Sequence, residues 1–285
     1  MTLDPHAVGA ILNQALPMIQ RWQGQTFVIK YGGSAMRDPT LMRGVIRNIL
    51  LLQLVGIRPI LCHGGGPEID RWVERLGGGE RQTIDGLRVT DAATMEIVEM
   101  ALSGRANKAL VSEVQQCGGK AVGLSGRDGG LFIGEAIRPE LGRVGRILQV
   151  NPELVQVAVS SGFVPVVCSV AADPAGEALN VNADTAAAAL AGAMGASKLI
   201  LLTDTDGVLA SADAPTSLIS ELTPARAREM LASGDASRGM IPKLEAALRA
   251  LEDGVESVHL VNGAIPNAIL IEVLTDHGIG TMMRR

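Results

Sequence analysis

The sequence predicts an α/β fold: an open αβα sandwich with a mainly parallel central sheet, preceded by an N-terminal helical extension. Short apolar runs rich in β-branched residues alternate with longer stretches of helical periodicity along most of the 285-residue chain. Most of the short runs are apolar almost throughout, which is typical of parallel strands that are covered on both faces. Repeated strand–helix units of this kind build a doubly wound sandwich.

The predicted elements follow one another in a regular order. The strands span residues 26–30, 58–62, 121–124, 164–170, 198–202 and 257–261. The helices span residues 41–55, 67–76, 92–116, 152–160, 185–195, 224–231, 242–251 and 266–276. Between residues 130 and 150, two short apolar runs separated by proline and glycine predict an antiparallel hairpin. The small and polar segment 211–217 predicts a loop.

The first 25 residues carry an apolar helical stripe of their own. Apolar side chains recur there at intervals of three and four residues, at Val8, Ile11, Leu12, Ala15, Leu16, Ile19 and Trp22. Pro17 falls inside the stripe, which predicts a kink. The helix precedes the first strand and has no place inside the sandwich. Two interpretations stay open: a helix folded back on its own subunit, or an arm that pairs with another chain.

Composition narrows the class of protein. Hydrophobic residues make up 47% of the chain and charged residues 19%, which excludes a disordered or fibrous protein. The net charge of −5 argues against a protein that coats nucleic acid, because such a protein needs a basic face. An aromatic content of 2% also leaves few rings on which the bases of a single strand could stack.

The sequence predicts a cytoplasmic protein. The first residues lack the basic and apolar regions of a secretory signal. The longest nearly apolar stretches, such as residues 186–196, are shorter than the ~20 residues that span a bilayer. Cys62, Cys117 and Cys168 match no zinc or disulfide spacing, so reduced and buried thiols are expected.

Two predicted strands end in glycine-rich turns. The first runs into KYGG (residues 30–33), which places amide groups and one ammonium group at the carboxyl end of the sheet, where ligands bind in open α/β folds. The second ends in GGGP (residues 64–67), whose amides precede a helix that begins with proline and therefore favour an anion. Neither turn matches a P-loop or a dinucleotide-binding fingerprint. A tight turn without a ligand is the alternative for each.

Arg88 stands between a glycine and a predicted helix start. A guanidinium group grips a carboxylate with two parallel hydrogen bonds, so Arg88 is a candidate clamp for a substrate carboxylate. On spacing alone, a surface ion pair with Asp85 or Asp91 is the favoured interpretation.

Polar groups also cluster in the second half of the chain. The segment NVNADT (180–185) precedes an alanine-rich helix; Asp184 is either the N-cap of that helix or part of a site that orients substrate and cations. The segment TDTDG (203–207) ends a strand with two carboxylates, which either touch nucleotide or metal or form a hydrophilic turn. Lys243 falls on the first turn of a helix, where a cation opposes the helix dipole, and this favours a functional reason for it.

In this order and spacing, the motifs resemble those of the acetylglutamate kinases of the amino-acid kinase family, and in particular the arginine-sensitive type. The resemblance covers essentially the whole chain and rests on VIKYGGSAM (28–36), HGGGPEID (63–70), DGLRVTD (85–91), LSGRDGG (124–130), NVNADTAA (180–187), LILLTDTDGVL (199–209) and GMIPKL (239–244). It implies that ATP, with Mg²⁺, phosphorylates the γ-carboxylate of N-acetyl-L-glutamate in arginine biosynthesis. It also implies an N-terminal lobe that binds the amino acid (26–190) and a C-terminal lobe that binds ATP (191–285).

The resemblance assigns roles to individual residues. Lys30 and Lys243 would flank the phosphoryl group in transfer, with Asp184 orienting both. The implied substrate-binding residues are Gly64, Gly65, Gly66, Arg88, Asn180 and Asn182, with Arg88 on the α-carboxylate and the glycine amides on the γ-carboxylate. The implied ATP-binding residues are Lys30, Gly32, Gly33, Thr203, Asp204, Gly207, Met240 and Lys243; none is assigned as a ligand of Mg²⁺. A carboxylate acceptor with a pKa of ~4.3 is already ionised at neutral pH and needs no general base.

A second set of residues is implied for L-arginine as a feedback inhibitor: Lys198, His259, Glu272 and Gly278. In the arginine-sensitive enzymes an N-terminal helix interlaces dimers into a hexamer, a trimer of dimers, so residues 1–25 are expected to serve oligomerisation. Met18 stands where those enzymes usually have an aromatic residue, and Arg127 and Arg238 also depart from the family pattern. The resemblance leaves open whether a PII-type regulator binds.

Two alternative functions stay open. A sister kinase of lysine synthesis would act on N-acetyl-α-aminoadipate or a carrier-linked amino acid, and one methylene of substrate length is worth only ~1–3 kcal/mol of discrimination. A non-catalytic arginine-sensing module is the second alternative. A dinucleotide-binding oxidoreductase is disfavoured because the fingerprint is absent.

Overall fold

The computed structural model describes residues 4–32, 36, 38–77, 82–210, 217–237, 239–275 and 278–285. Its helices are α1 (Pro5–Trp22), α2 (Pro39–Leu54), α3 (Gly66–Arg75), α4 (Ala92–Glu99), α5 (Asn107–Gln116), α6 (Glu153–Ser160), α7 (Ala183–Ala193), α8 (Pro224–Ser233), α9 (Ile241–Glu252) and α10 (Ala268–Leu274). Its strands are β1 (Thr26–Tyr31), β2 (Arg58–His63), β3 (Thr83–Ile84), β4 (Leu87–Arg88), β5 (Ala121–Ser125), β6 (Phe132–Ala136), β7 (Val144–Val150), β8 (Val164–Cys168), β9 (Val170–Ala172), β10 (Ala178–Val181), β11 (Lys198–Thr203), β12 (Glu221–Leu222), β13 (Ser257–Asn262) and β14 (Thr281–Arg284).

An eight-stranded sheet forms the centre of the molecule, in the order β12-β14-β13-β11-β1-β2-β8-β5. Neighbouring strands are parallel except β13 and β14, which run antiparallel. The predicted open αβα sandwich with a mainly parallel sheet is therefore confirmed. The strands before residue 190 form one half of the sheet and those after it form the other half; that each half is a separate binding lobe stays a prediction.

Helices cover both faces of the sheet. The face covered by α6, α7 and α9 receives Val28 of β1, and the face covered by α2, α5 and α10 receives Phe27, Ile29 and Tyr31. This alternation is what a strand buried on both sides must show. It also places Lys30 on the same face as Val28, towards α7.

A second, closed four-stranded sheet of β6, β7, β9 and β10 stands beside the main one. The predicted hairpin is confirmed as the antiparallel pair β6 and β7. The prediction of one continuous strand over 164–170 is wrong, because the chain leaves the main sheet at Ser169 and Val170 pairs with Asn180 of β10. That crossing brings Asn180 to the carboxyl end of the main sheet.

The prediction of one α-helix over 92–116 is also wrong. A π-helical segment, Met100–Ala106, separates α4 from α5, and the N–H of Asn107 reaches back five residues to Leu102 O. The wider turn lets Leu102 and Ala106 lie against Gly65 of the glycine turn while Asn107 points into the protein interior. The short hairpin of β3 and β4, the edge strand β12 and its neighbour β14 were not predicted, because runs of two to four residues carry too little periodicity.

Helix α1 forms as predicted and contains Pro17. Its C-terminal half folds back on its own subunit: Trp22 is buried and meets Phe27 edge to face, with ring centres 5.6 Å apart. Further out, Ile11, Leu12 and Leu16 stay 56%, 66% and 48% exposed. No helix within the described ranges is both long enough and apolar enough to cross a bilayer. Residues 211–216 of the predicted loop lie outside the described residues.

Candidate active site

Asp184 joins two lysines that are far apart in the chain. Lys30 Nζ lies 2.9 Å from Asp184 Oδ1, and Lys243 Nζ donates to Asp184 Oδ2 at 3.2 Å. Burial alone would raise the pKa of Asp184, but the charges of Lys30 and Lys243 outweigh burial and hold the pKa below its ordinary value. The carboxylate is therefore ionised at neutral pH, and the three groups together carry one net positive charge.

Local structure explains why the Asp184 side chain is free to make these contacts. Asn182, rather than Asp184, is the N-cap of α7: its Oδ1 accepts from the N–H groups of Asp184 and Thr185, at 2.8 and 3.2 Å. The interpretation of Asp184 as an N-cap is therefore wrong. Asp184 lies in the first turn of α7, where its charge suits the helix dipole, and its side chain points towards β1 and the start of α9.

The glycine turn after β2 lies against this ion pair. A Cβ at Gly64 would be 3.0 Å from Ala183 Cβ, and a Cβ at Gly65 would be 2.6 Å from Leu102 Cδ2, so larger residues would have to displace their neighbours. Within the described residues, the N–H groups of Gly65 and Gly66 find no acceptor, since they precede and begin α3. Two amides at a positive helix end are thus available to an anion.

A cavity of about 220 Å³ opens between the turn and α7. Its lining includes every residue that was predicted to bind substrate, together with two of the charged groups: Gly64, Gly65, Gly66, Arg88, Asn180, Asn182, Lys30 and Asp184. These residues come from four separate parts of the chain. The structure therefore gathers the predicted substrate residues around one space, beside the paired ammonium groups; their roles stay predictions.

Arg88 does not make the ion pairs that its spacing favoured. Its guanidinium group contacts the carboxylate of Asp70 and donates to Gly66 O at 3.4 Å. Asp85 pairs instead with Arg138, and Asp91 caps α4. The interpretation as a surface pair with Asp85 or Asp91 is wrong because the β3–β4 hairpin turns Arg88 away from both and towards α3.

Sequence reasoning missed Thr90, which links the two sides of the cavity. Its hydroxyl donates to Arg88 O at 2.9 Å and accepts from Asn180 Nδ2 at 3.1 Å, and the residue is fully buried. The signal was present, because Thr90 belongs to the DGLRVTD motif, but a threonine near a helix start is more often a cap. In the structure it fixes Arg88 and Asn180 relative to each other.

The predicted nucleotide residues lie at the carboxyl edge of the same sheet. Thr203 ends β11, the neighbour of β1, and Met240 directly precedes α9. Gly207 has φ +148°, and a Cβ there would be 2.6 Å from Thr281 Oγ1, so packing against β14 already requires a glycine. Asp204 follows β11, Gly32 lines the cavity, and Gly33 lies outside the described residues. Contact of this set with ATP stays a prediction.

A second cavity, of about 460 Å³, opens at the other end of the sheet. It brings together the predicted effector residues Lys198, His259, Glu272 and Gly278, and α1 contributes Trp22 to its lining. His259 Nδ1 is 2.7 Å from Glu272 Oε1, and Lys198 Nζ is 2.9 Å from His259 Nε2. Burial lowers the pKa of Lys198 to about 8 and lowers the pKa of His259, so the ring is neutral near pH 7.

Known proteins are similar to this chain along almost its whole length. The model of the Amino acid kinase family matches residues 25–262. An acetylglutamate kinase from Synechocystis sp. is 52% identical over 274 residues, covering 96% of this chain and 92% of that protein. One from Nostoc punctiforme is 50% identical with the same coverage. Among solved structures, N-acetylglutamate synthase from Neisseria gonorrhoeae, complexed with coenzyme A and N-acetyl-glutamate, superposes with a TM-score of 0.85 at 24% identity, covering 97% of this chain and 63% of that one.

Proposed function

The chain belongs to the amino acid kinase family, and we propose from this premise that it transfers the γ-phosphoryl group of ATP to the γ-carboxylate of N-acetyl-L-glutamate, forming an acyl phosphate. The observation that carries the proposal is the bridge of Lys30, Asp184 and Lys243 beside a glycine turn with two available amides. A reaction of this kind belongs to the biosynthesis of arginine in the cytoplasm.

The residues present suit a carboxylate acceptor. The amides of Gly65 and Gly66 hold the γ-carboxylate, which is ionised at neutral pH because a glutamate side chain in water has a pKa of ~4.3, so no base has to remove a proton. Arg88 holds the α-carboxylate, and its remaining donors keep the contact with Asp70. Asn180 fixes the acceptor from the opposite wall of the cavity. The acceptor oxygen is thus presented to phosphorus without a catalytic histidine.

The lysines stabilise the charge that moves during transfer. Negative charge develops on the oxygens of the transferring group, and preorganised cations lower the barrier by meeting it. Asp184 fixes both ammonium groups and neutralises only one of them, so one positive charge remains for the phosphoryl group. Without the carboxylate, two ammonium groups close together would repel each other.

ATP is bound at the carboxyl edge formed by β1, β11 and the start of α9, through Gly32, Gly33, Thr203, Asp204, Gly207 and Met240. Mg²⁺ enters as part of the substrate MgATP. Mg²⁺ bound to ATP is held through phosphate oxygens, with few protein ligands.

The test is turnover of ATP with N-acetyl-L-glutamate, with hydroxylamine present to trap the acyl phosphate as a hydroxamate. N-acetyl-α-aminoadipate is assayed in parallel, because it differs by one methylene. Hydroxamate formed preferentially from acetylglutamate supports the proposal. Preferential use of the aminoadipate compound would transfer the chain to lysine synthesis, and no hydroxamate from either would refute a carboxylate kinase.

We further propose that L-arginine inhibits this activity by binding in the second cavity. Glu221, Glu256 and Glu272 line that cavity and suit a guanidinium group, and Lys198 suits the carboxylate of the amino acid. The exposed apolar side chains of α1 pair with a second copy, and such pairs join dimers into a hexamer. The resemblance leaves open a PII-type regulator as a further partner.

Removing residues 1–25 tests the arginine and assembly proposals together. The truncated chain should behave as a dimer in light scattering, and more arginine should be needed for half inhibition, because Met18 and Trp22 of α1 line the effector cavity. The full chain, measured at the same concentration, is the control. A truncated enzyme that is still hexameric and equally sensitive would refute both.

A further inference from the structure

Three polar side chains form a hydrogen-bonded chain beneath the glycine turn, on the face of the sheet turned away from α7. Lys108 Nζ donates to Asn107 Oδ1 at 2.9 Å. Asn107 Nδ2 lies 3.1 Å from His63 Nε2 and donates to Val166 O at 2.8 Å. His63 Nδ1 lies 2.8 Å from Gly64 O. His63 and Asn107 are fully buried, and the proposed function uses none of the three side chains.

The donors and acceptors of this chain fit together in one way. An ammonium group only donates, so the Asn107 atom that faces Lys108 is the oxygen and the atom that faces His63 is the nitrogen. An amide nitrogen also only donates, so His63 Nε2 accepts and the proton of the neutral ring sits on Nδ1. Nδ1–H then donates to Gly64 O.

The surroundings keep the ring neutral. Burial is the largest cause that lowers the pKa of His63, to about 4, and the charge of Lys108 on α5 acts in the same direction. Tyr31 of β1 and Cys168 of β8 flank His63 in the sheet. Burial raises the pKa of both, so neither carries charge near neutral pH.

Gly64 O belongs to the same peptide unit as the N–H of Gly65. A hydrogen bond accepted by the carbonyl polarises the peptide and makes its N–H a stronger donor. Gly65 lines the substrate cavity, and within the described residues its N–H has no acceptor. The contact from His63 therefore acts on an amide that is available to a ligand.

The π-helical segment Met100–Ala106 explains how the chain of side chains reaches this place. Asn107 follows the segment directly, and its N–H bonds to Leu102 O, five residues back. Leu102 itself fills the space next to Gly65, where a Cβ would lie 2.6 Å from Leu102 Cδ2. The segment thus holds the glycine turn from the side while Asn107 supports it from beneath, in keeping with the frequent occurrence of π-helical turns at functional sites.

We propose that His63, held by Asn107 and Lys108, is a positioning residue that orients and polarises the Gly64–Gly65 peptide for the carboxylate of the acceptor. The proposal rests on the proposed function, because it requires an acceptor carboxylate at the glycine turn. His63 touches neither substrate and acts only through Gly64.

Two substitutions at His63 separate this role from a merely structural one. The side-chain nitrogen of asparagine in His63→Asn can take the place of Nδ1 and keep the bond to Gly64 O, whereas the longer glutamine of His63→Gln reaches the place of Nε2. We expect His63→Gln to lower kcat/KM for acetylglutamate about tenfold, the scale of one hydrogen bond, and to leave KM for ATP unchanged. His63→Asn should retain most of the activity.

Both variants remove the ring, so a structural role predicts equal losses, and melting temperatures measured alongside reveal any difference in folding. Equal kcat/KM values for the two variants, or wild-type values for both, would overturn the proposal. Wild-type enzyme that forms no acyl phosphate would instead refute the proposed function.

Asn107→Asp supplies a pH-dependent readout. A carboxylate at position 107 still accepts from Lys108 but can no longer donate to His63, so the ring proton moves to Nε2 and the Nδ1 lone pair faces Gly64 O. Uptake of one proton by His63 and the new carboxylate together restores an Nδ1–H donor. Turnover of the variant should therefore fall as the pH rises across the range where wild-type turnover is constant. If the turnover of variant and wild type depends on pH in the same way, the proposed action of Asn107 through His63 is contradicted.

Nitrogen NMR of the histidine ring tests the same geometry without turnover. The His63 signals, assigned by their absence in His63→Asn, should show a neutral ring protonated on Nδ1 near neutral pH. A ring protonated on Nε2 would overturn the proposal whatever the activity of the enzyme.

Discussion

Removing the ammonium group of Lys243 should slow phosphoryl transfer and leave the protein folded. The Lys243 side chain is 19% exposed and that of Lys30 is 9% exposed, so Lys243 is the more accessible of the two cations to an incoming phosphate. In Lys243→Ala, Asp184 keeps its partner Lys30 at 2.9 Å, so no buried charge is left without a counter-charge. The net charge of the group falls from one positive charge to zero.

The loss of one preorganised donor to a developing negative charge costs about 3 kcal/mol, which corresponds to roughly a 150-fold lower kcat. The hydroxamate assay measures kcat at saturating ATP and acetylglutamate, and KM for acetylglutamate should change little because the glycine amides and Arg88 are intact. Lys243→Met, which keeps the length of the side chain, should lose as much. Lys120→Ala, at an exposed lysine before β5, is the matched control. A kcat for Lys243→Ala within about threefold of wild type would refute the assignment.

Three further substitutions test charge and packing by urea unfolding. Asp184→Asn should lower the free energy of unfolding by about 3 kcal/mol near neutral pH. The pKa of Asp184 is lower in the folded protein than in the unfolded chain, where it is about 3.9. The difference in unfolding free energy between wild type and Asp184→Asn should therefore be fully present above about pH 3.9 and disappear as the pH falls through the folded pKa. A difference that does not change with pH would contradict this. Gly65→Ala should cost about 1–3 kcal/mol, because the methyl group would lie 2.6 Å from Leu102 Cδ2, and Leu102→Ala in the same chain should recover part of the loss. Burial lowers the pKa of Lys198 from 10.5 to about 8, so between pH 8 and 10.5 the unfolded chain binds more protons than the folded protein and the free energy of unfolding should rise with pH. Lys198→Met should abolish this rise. The same pH dependence in the variant would contradict the assignment of the rise to Lys198.

The sequence predicted site residues best where they directly follow a strand that its apolar pattern identifies. The sequence predicted that KYGG lies at the carboxyl end of the sheet, where ligands bind, and in the structure Lys30 and Gly32 line the same cavity as Gly64, Gly65 and Gly66. The resemblance, and not spacing, favoured Arg88 and Asn180 as substrate-binding residues, and their place beside the cavity depends on the small second sheet and on the β3–β4 hairpin. The β3–β4 hairpin is too short to be predicted from periodicity, and of the second sheet only the β6–β7 hairpin was predicted.

Side-chain partners across the fold could not be predicted from spacing. The choice of Asp70 as the partner of Arg88 is decided by α3, eighteen residues earlier in the chain, whereas spacing draws attention to near neighbours. In the same way, the choice between Asn182 and Asp184 as the cap of α7 depends on the two ammonium groups that attract Asp184. The π-helical segment before Asn107 could not be predicted either, because an insertion of this kind leaves the apolar pattern of the surrounding helices in place.

The continuity of the eight-stranded sheet limits how its two halves can move. Strands β1 and β11 lie side by side in the middle of the sheet and pair from Phe27 to Lys30, so a hinge opening between the halves would break this ladder. Rearrangement during a turnover cycle is therefore confined to the loops at the carboxyl edge or to a change of sheet twist. The amides of both strands should exchange with deuterium slowly and at a common rate, since they become accessible only when the whole domain unfolds.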